Sequence, residues 1–420
     1  MKKQILFLCF ICAGIVTYSQ HWTFLGFPDK QIGAVAVHPT NPNLIFVSDK
    51  GYSGYLYKSS DGGLSWDTVA YNPYNSVIFH PQDPDTMYAS LGTGSLSDGL
   101  FRSADSGNSW NGFATLSLAT SLVRVEFGGM FIAGTKAGGV YRSTDNGINW
   151  AQINDSLNNM NVLSLAVAYP PGIPEDPVVV YIAGTEGGIF YYPDHILLNS
   201  PEEYWHPSNM ATNAVIPSIS ASQLYGGSSM WAASGGGSWS DGMYHSDDNG
   251  ATWILSEYWP FITDILVNPR DPNTVFAADS GRGVKRTIDG GASWQTINTG
   301  LGDSVVFCLA QSPADTMHLY AGTAHGLYVY DFSTGINETE LSQNIIITIS
   351  PNPANDKVSI ITSGHKNSKI ELTDIQGRVI KSYVLHASET VINIDKLERG
   401  LYLIKIYTGE HVITKKLIKQ

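Results

Sequence analysis

Apolar and polar residues alternate along residues 20–333 in short runs, with glycine, proline, asparagine and aspartate between the runs. That is the pattern of half-buried β-strands joined by turns, and no stretch has the spacing of a long amphipathic helix. One complete unit reads "ITDILVN", the turn "PRDPN", "TVFAADS", a loop, "GVKRT", the octet "TIDGGASW", and a last run "WQTIN" that starts at the octet's tryptophan. The glycine opening the third run recurs at 54, 99, 139, 188, 242, 283 and 326, at spacings of 40 to 54 residues. Seven four-strand units predict an all-β, seven-bladed β-propeller, in which each sheet hides both faces against its neighbours.

The seventh run, "GLYVYDF" at Gly326, has no tryptophan strand after it. At the other end of the chain, "HWTFLGF" (His21 to Phe27) matches the runs around the octets' tryptophans, such as "SWDTVAY" and "NWAQIND". The N-terminal strand is therefore expected to close the last blade. After a propeller over 20–333 and a polar linker over 334–344, further alternating segments predict a small Ig-like β-sandwich over 345–420.

Composition adds the setting. A chain of 420 residues, 43% hydrophobic and 15% charged, has the make-up of a packed globular protein. Residues 1–19 place Lys2 and Lys3 before an apolar run from Ile5 to Val16, the layout of a secretory signal peptide, with cleavage expected before Gln20. Cys9 and Cys12 would leave with it, so Cys308 in "SVVFCLA" is expected to be a buried spectator thiol. Residues 20–342 carry net charge -19 and residues 343–420 net +4, a break that marks a domain boundary. The acidic part lacks the basic stripe that nucleic acid or an anionic membrane would require.

The octet occurs five times: "SSDGGLSW", "SADSGNSW", "STDNGINW", "SDDNGATW" and "TIDGGASW". It joins the third strand of a blade to the fourth, where aspartate and serine can hold turn amides, glycine takes positive φ, and tryptophan buries its ring between blades. These octets resemble the Asp-boxes of bacterial neuraminidase (BNR) repeats, which recur in sortilin-type receptors, xyloglucan-specific glucanases and photosystem assembly factors with propeller folds. The resemblance implies that the octet face lies away from any ligand. It implies structural roles for Asp61, Asp105, Asp145, Asp248 and Asp289, and for Trp66, Trp110, Trp150, Trp253 and Trp294.

Chemistry is then expected across the ring, in the loops between second and third strands and between blades. Those loops hold Asp49, Asp98, Lys136, Glu186, Trp239, Asp241, Asp279, Arg282 and His325, with Tyr71, Tyr74, Tyr258 and Trp259 on the blade-to-blade crossings. Carboxylates and aromatics converging on a cleft suit a carbohydrate, which stacks on aromatic rings and bonds to acids. The Arg-Ile-Pro motif of sialidases is absent, and residues 20–342 contain only six arginines. Nucleophile elbows, phosphate loops and zinc motifs are absent too, so no metal and no cofactor is expected. The leading reading is a monomeric propeller that binds a glycan or a protein at its mouth. The rival is a glycoside hydrolase, sialidase-like or xyloglucanase-like, using Asp98 and Asp241.

The C-terminal segment carries "PNPA" at Pro351, Gly377-Arg378, "LERGLYLIKI" from Leu397 and a basic end at Lys415, Lys416 and Lys419. Together they resemble the type A C-terminal sorting domain read by the type IX secretion system of gliding and periodontal bacteria. The resemblance implies a secretion-machinery partner and a secreted or outer-membrane surface location, reached through the periplasm. Removing residues 345–420 is expected to trap the protein in the periplasm. Fractionation of cells expressing the truncated chain checks this, and a normal extracellular yield would contradict it.

Overall fold

The computed structural model describes residues 21–332, except 52, 81, 94–97, 126–128, 171–177, 196–203, 211–213, 222–228 and 238–240, and residues 347–419, except 351–353, 363–368, 375–377, 385–388 and 409–410. The expected signal segment and linker lie outside the described residues. Compactness divides the chain into two units between residues 333 and 334.

The first unit is a β-propeller of seven four-stranded antiparallel sheets. Blade 1 pairs Ile32–Val37, Ile45–Asp49, Leu56–Ser59 and Asp67–Ala70 in that order, with the first strand lining the central channel. Blades 2 to 6 repeat this order from Ser76, Ala119, Val162, Ser218 and Ile262. Blade 7 takes Val306–Ser312, Asp315–Thr323 and Gly326–Asp331, and its fourth strand is Trp22–Gly26, with Trp22 opposite Tyr330 and Phe24 opposite Tyr328. The N-terminal strand thus closes the last blade.

Among the described residues, one buried apolar cluster fills each of the seven seams between neighbouring blades. Phe46 and Leu56 of blade 1 pack on Tyr74 and Met87 from the blade 2 side. Ile32 and Val47 of blade 1 pack on Tyr320 and Leu327 of blade 7. Alternation with both faces apolar is what such a sandwiched sheet requires.

The first strand of each blade leaves an unpaired edge toward the channel, and its backbone groups need partners. Side chains of the neighbouring blade supply several. Thr120 donates to the Val162 carbonyl at 2.7 Å, Thr263 to Val306 at 2.6 Å and Asn75 to Ala119 at 2.8 Å. Ser218 and Ser220 accept from the amides of Ile265 and Val267 at 3.2 and 3.0 Å.

Blades 4 and 7 lack the octet but keep its tryptophan. Trp22 and Trp205 are buried, and each donates its indole N–H to the carbonyl of an isoleucine in the preceding blade, Ile297 and Ile153. Their backbone amides donate to Thr299 and Asp155, two residues further on in each case. "WAQIND" and "WQTINT" are therefore equivalent receptors for the tryptophan of the next blade.

The second unit pairs Ile347–Ser350, Lys357–Thr362 and Glu389–Asn393 in one antiparallel sheet, and Val379–Val384, Lys369–Thr373, Gly400–Thr408 and His411–Lys419 in another. Val358, Ile360 and Ile392 of the first sheet share one buried core with Ile370, Leu372, Ile404, Ile406 and Leu417 of the second.

Because Trp22 anchors the closing strand, Trp22→Ala removes a buried ring and an indole hydrogen bond at once. The expected cost is about 3–5 kcal/mol, read as a lower denaturation midpoint with earlier proteolysis in blade 7. An unchanged midpoint would mean that the closing strand carries no stability.

Candidate functional site

The two faces of the ring use their carboxylates differently. On the octet face, Asp61 accepts from the Ser59 hydroxyl (2.8 Å), the Leu64 amide (3.0 Å), the Ser65 amide (2.9 Å) and the Ser65 hydroxyl (2.6 Å). Asp105, Asp145, Asp248 and Asp289 repeat the bonds to the first and seventh octet residues. The fourth and fifth octet residues both take positive φ, for example Asn146 at 60° and Gly147 at 85°. This explains why glycine, asparagine or serine stands at the fourth position and glycine at the fifth. Hydroxyl donation from Ser65, Ser109 and Ser293, with the amides beside them, holds Asp61, Asp105 and Asp289 at about 2. These groups stay ionised as hairpin clasps and have no proton to give near neutral pH.

Tryptophan completes the octet in more than one way. The indoles of Trp110, Trp150 and Trp253 donate to the carbonyl of the octet glycine, while Trp294 donates to the Ser256 hydroxyl of the preceding blade. Trp66 is half-buried, and its indole N–H has no partner.

On the mouth face the expected acids turn inward. Asp49, Asp98, Asp241 and Asp279 are all buried. Asp49 accepts from the Tyr55 amide at 2.7 Å and pairs with Lys30 at 2.7 Å. Asp98 accepts from the amide and hydroxyl of Thr93 at 2.8 Å, Asp241 from the Ser234 hydroxyl at 2.6 Å, and Asp279 from the Arg282 amide at 2.9 Å. Asp98 belongs to blade 2, where its second oxygen also accepts from the Leu118 amide of the crossing to blade 3 at 3.3 Å, and Asp241 belongs to blade 5, so the two do not share a cleft between neighbouring blades. Trp259 is also displaced from its expected role. It is 4% exposed in the seam between blades 5 and 6, with the Lys285 ammonium 5.0 Å from its ring centroid. Tyr258 and Phe261, on either side of it, are the exposed aromatics. Lys136, Glu186, Arg282 and His325 are exposed at the mouth, with Glu186 bonded to Asn161 and His325 to Asp303. Trp239 lies outside the described residues.

One cleft gathers several mouth residues. A cavity of about 440 Å³ opens between blades 1 and 2, lined by Asp49, Lys50 and Gly51 of one hairpin, Pro73, Tyr74 and Asn75 of the blade-to-blade crossing, and Gly33, Gly92 and Thr93. The same hairpin and crossing meet again where the Tyr55 and Tyr71 rings stand edge to face, 5.6 Å apart. Tyr71 is 81% exposed, whereas Tyr74 is buried in the seam. Lys30 lies over the rings of Tyr55 and Tyr57, which joins the aromatic rim to the Asp49 ion pair. Tyr55, Lys30, Gly33 and Asn75 were not expected from the sequence. The alternation "GYLYK" was a usable signal, but its glycine is one residue out of register. Asp49 bonds the Tyr55 carbonyl where Ser234 bonds that of Gly242, so Tyr55 takes the place that glycine holds in the other blades.

The central channel is lined by first strands of all seven blades. Asp264, on its blade 6 wall, accepts from the Ser218 hydroxyl of blade 5 (2.6 Å) and the Leu309 amide of blade 7 (2.7 Å), which ties three blades together. Enclosure of this carboxyl group pushes its pKa up to about 6, against the pull of those two donors. Cys308, a free thiol in the next first strand, is pushed up to about 12 by burial and so stays protonated. Among the described residues, no three His, Cys, Asp or Glu side chains gather as a metal site would need.

Residues 348–420 match the family described as the secretion system C-terminal sorting domain. The C-terminal unit is a secretion sorting domain. A sorting domain of this kind marks a protein for export by the type IX secretion system, through the periplasm, to the cell surface or the medium. No curated protein matches the chain. In fold, the chain is similar to YCF48 from Cyanidioschyzon merolae, at 18% identity and TM-score 0.53 over 74% of this chain and 98% of that one. YCF48 bound to a D1 peptide is similar at 18% identity and TM-score 0.52, over 75% of this chain and 98% of that one. The GH74 xyloglucanase from Xanthomonas campestris is similar at 12% identity and TM-score 0.56, over 94% of this chain and 67% of that one. Likeness at these identities concerns the fold alone, and it carries no ligand across.

Asp264 gives the propeller a pH dependence opposite in sign to that of the octets. Its folded pKa is raised, so its contribution is full below about 4 and is lost as pH rises through about 6. The melting temperature of the wild type minus that of Asp264→Asn should therefore shrink as pH rises from 4 to 7. A difference that grows over this range would reverse the assignment.

Proposed function

We propose that this exported propeller binds an extracellular glycan or protein segment in the cleft between blades 1 and 2, and that it does not cleave what it binds. The carrying observation is the cleft itself. It is a polar, glycine-walled cavity whose bordering loops also present an 81%-exposed tyrosine. A large exposed aromatic beside a cavity is the usual form of a recognition site, since leaving such a ring in water is otherwise unfavourable. The mouth carboxylates support the non-catalytic reading. Asp98 and Asp241 accept hydrogen bonds within their own hairpins, whereas glycoside hydrolysis needs two carboxyl groups facing one bond.

Gly51 offers a clean test, because a Cβ there would meet nothing closer than the Gly54 amide nitrogen at 3.9 Å, and the residue lines the cavity. Gly51→Trp should fill the cleft without unfolding the blade. Retention of the mature propeller would be measured on immobilised plant, algal and host polysaccharides and on extracellular proteins, with released reducing ends assayed in parallel. The expected outcome is at least about a tenfold loss of retention with an unchanged melting temperature and no reducing ends. Equal retention by Gly51→Trp would place the ligand elsewhere. Reducing ends that vanish in Asp98→Asn or Asp241→Asn would replace binding with hydrolysis.

A further inference from the structure

We infer that the cleft ligand is an acidic polysaccharide, whose carboxylate or sulfate is held by Lys50 while a sugar ring lies on Tyr71; this rests on the mouth-cleft reading above. Lys50 is the fixed cation of the cleft. Its aliphatic stem crosses Gly33 so closely that a Cβ on that glycine would lie 2.2 Å from the lysine Cγ. Its backbone amide donates to the Gln31 carbonyl at 2.8 Å, and its ammonium stands 4.1 Å from the centroid of the Phe307 ring, across the seam in blade 7. A cation over a ring face keeps N–H donors on its open side. Among the described residues no carboxylate pairs with it, and Asp49, the acid beside it in sequence, is paired with Lys30.

The charge of the surroundings sharpens the point. Residues 20–342 carry net charge -19, yet the acids nearest this cleft are already engaged, Asp49 by Lys30 and Asp98 by the amide and hydroxyl of Thr93, whereas Lys50 lines the cavity with no acid paired to it among the described residues. At physiological ionic strength the more distant acids are screened beyond about 8 Å, so the local lysine decides what the cleft attracts. The rest of the lining favours a sugar over an acidic peptide. Asn75, Thr93 and three glycines form a wall suited to hydroxyl groups, with no apolar pocket for peptide side chains. At the outer end Tyr71 offers the flat apolar face on which a pyranose ring stacks.

The test compares chains that differ only in charge: polygalacturonate with its methyl ester, and a sulfated galactan with its desulfated form. Affinity electrophoresis of the full-length secreted protein should show retardation by one or both charged forms that weakens with added salt. The arm that responds identifies carboxylate or sulfate. Lys50→Gln should lower affinity for the charged form about tenfold, a typical loss for one charge-assisted bond, and Lys50→Arg should restore most of it. Gly33→Ala should copy Lys50→Gln by displacing the stem, and Tyr71→Ala should weaken charged and neutral forms alike. If the ester binds as well as the acid while Gly51→Trp binds neither, the mouth cleft stands and the acidic ligand falls. Retention of an acidic peptide but of no polysaccharide would also overturn the inference, as would charged-form binding indifferent to Lys50.

Discussion

Each blade of this propeller is stable only between two others, and the ring therefore depends on one strand that arrives from the far end of the chain. A single four-stranded sheet here has buried residues on both faces, so it has no outer side that water could cover. The six seams within residues 32–331 form between sequence neighbours, whereas the seventh joins blade 7 to blade 1. Trp22–Gly26 completes blade 7 by pairing with Gly326–Asp331, and its indole bond to Ile297 spans 275 residues of sequence. The entropic cost of such a closure grows only logarithmically with loop length, so a few buried rings suffice to offset it.

The octet face and the mouth face divide the polar work. On the octet face, a short exposed carboxylate gathers hydroxyl and amide donors and fixes a reversal that requires two successive residues at positive φ. The mouth hairpins are fixed by buried groups instead. Thr135, Thr185 and Thr323 donate to the carbonyls of Gly139, Gly188 and Gly326, while aspartates take the same place in blades 1 and 6. Asp49 and Asp279, which read as ligand-binding acids, are thus members of a positional series that includes threonine. A series that accepts threonine as well as aspartate is about holding a hairpin, since threonine cannot ionise.

Much of the fold was legible in the sequence because its signals are local and repeated. The spacing of the third-run glycines counted the blades, the five octets located the third-to-fourth hairpins, and the run around Trp22 matched the missing strand of blade 7. The sorting domain was legible as a set of short motifs at fixed places. The site was much less so. Alternation says that a loop lies at the mouth, but not which way its side chains turn, so Asp98, Asp241 and Trp259 read as exposed and are buried. Trp205 escaped notice because its octet is gone, and Asp264 because its partners come from two other blades. Lys50 follows Asp49 in a loop that alternation places at the mouth, but its placement depends on Phe307, more than 250 positions away.

That last contact ties the proposed site to the constraint on which the ring depends. The cleft is bordered by blades 1 and 2, yet its cation is positioned by a ring of blade 7 and a glycine of blade 1, so it is assembled across the closing seam. Opening the seam would leave the hairpin of Asp49 and its Lys30 pair intact, because both belong to the blade 1 side. It would release the Lys50 ammonium into solvent, where a flexible lysine loses the preorganisation that makes a single charge selective. Recognition of charge and closure of the ring are then the same structural event, while the aromatic rim, built wholly from blade 1 and its crossing, is indifferent to it.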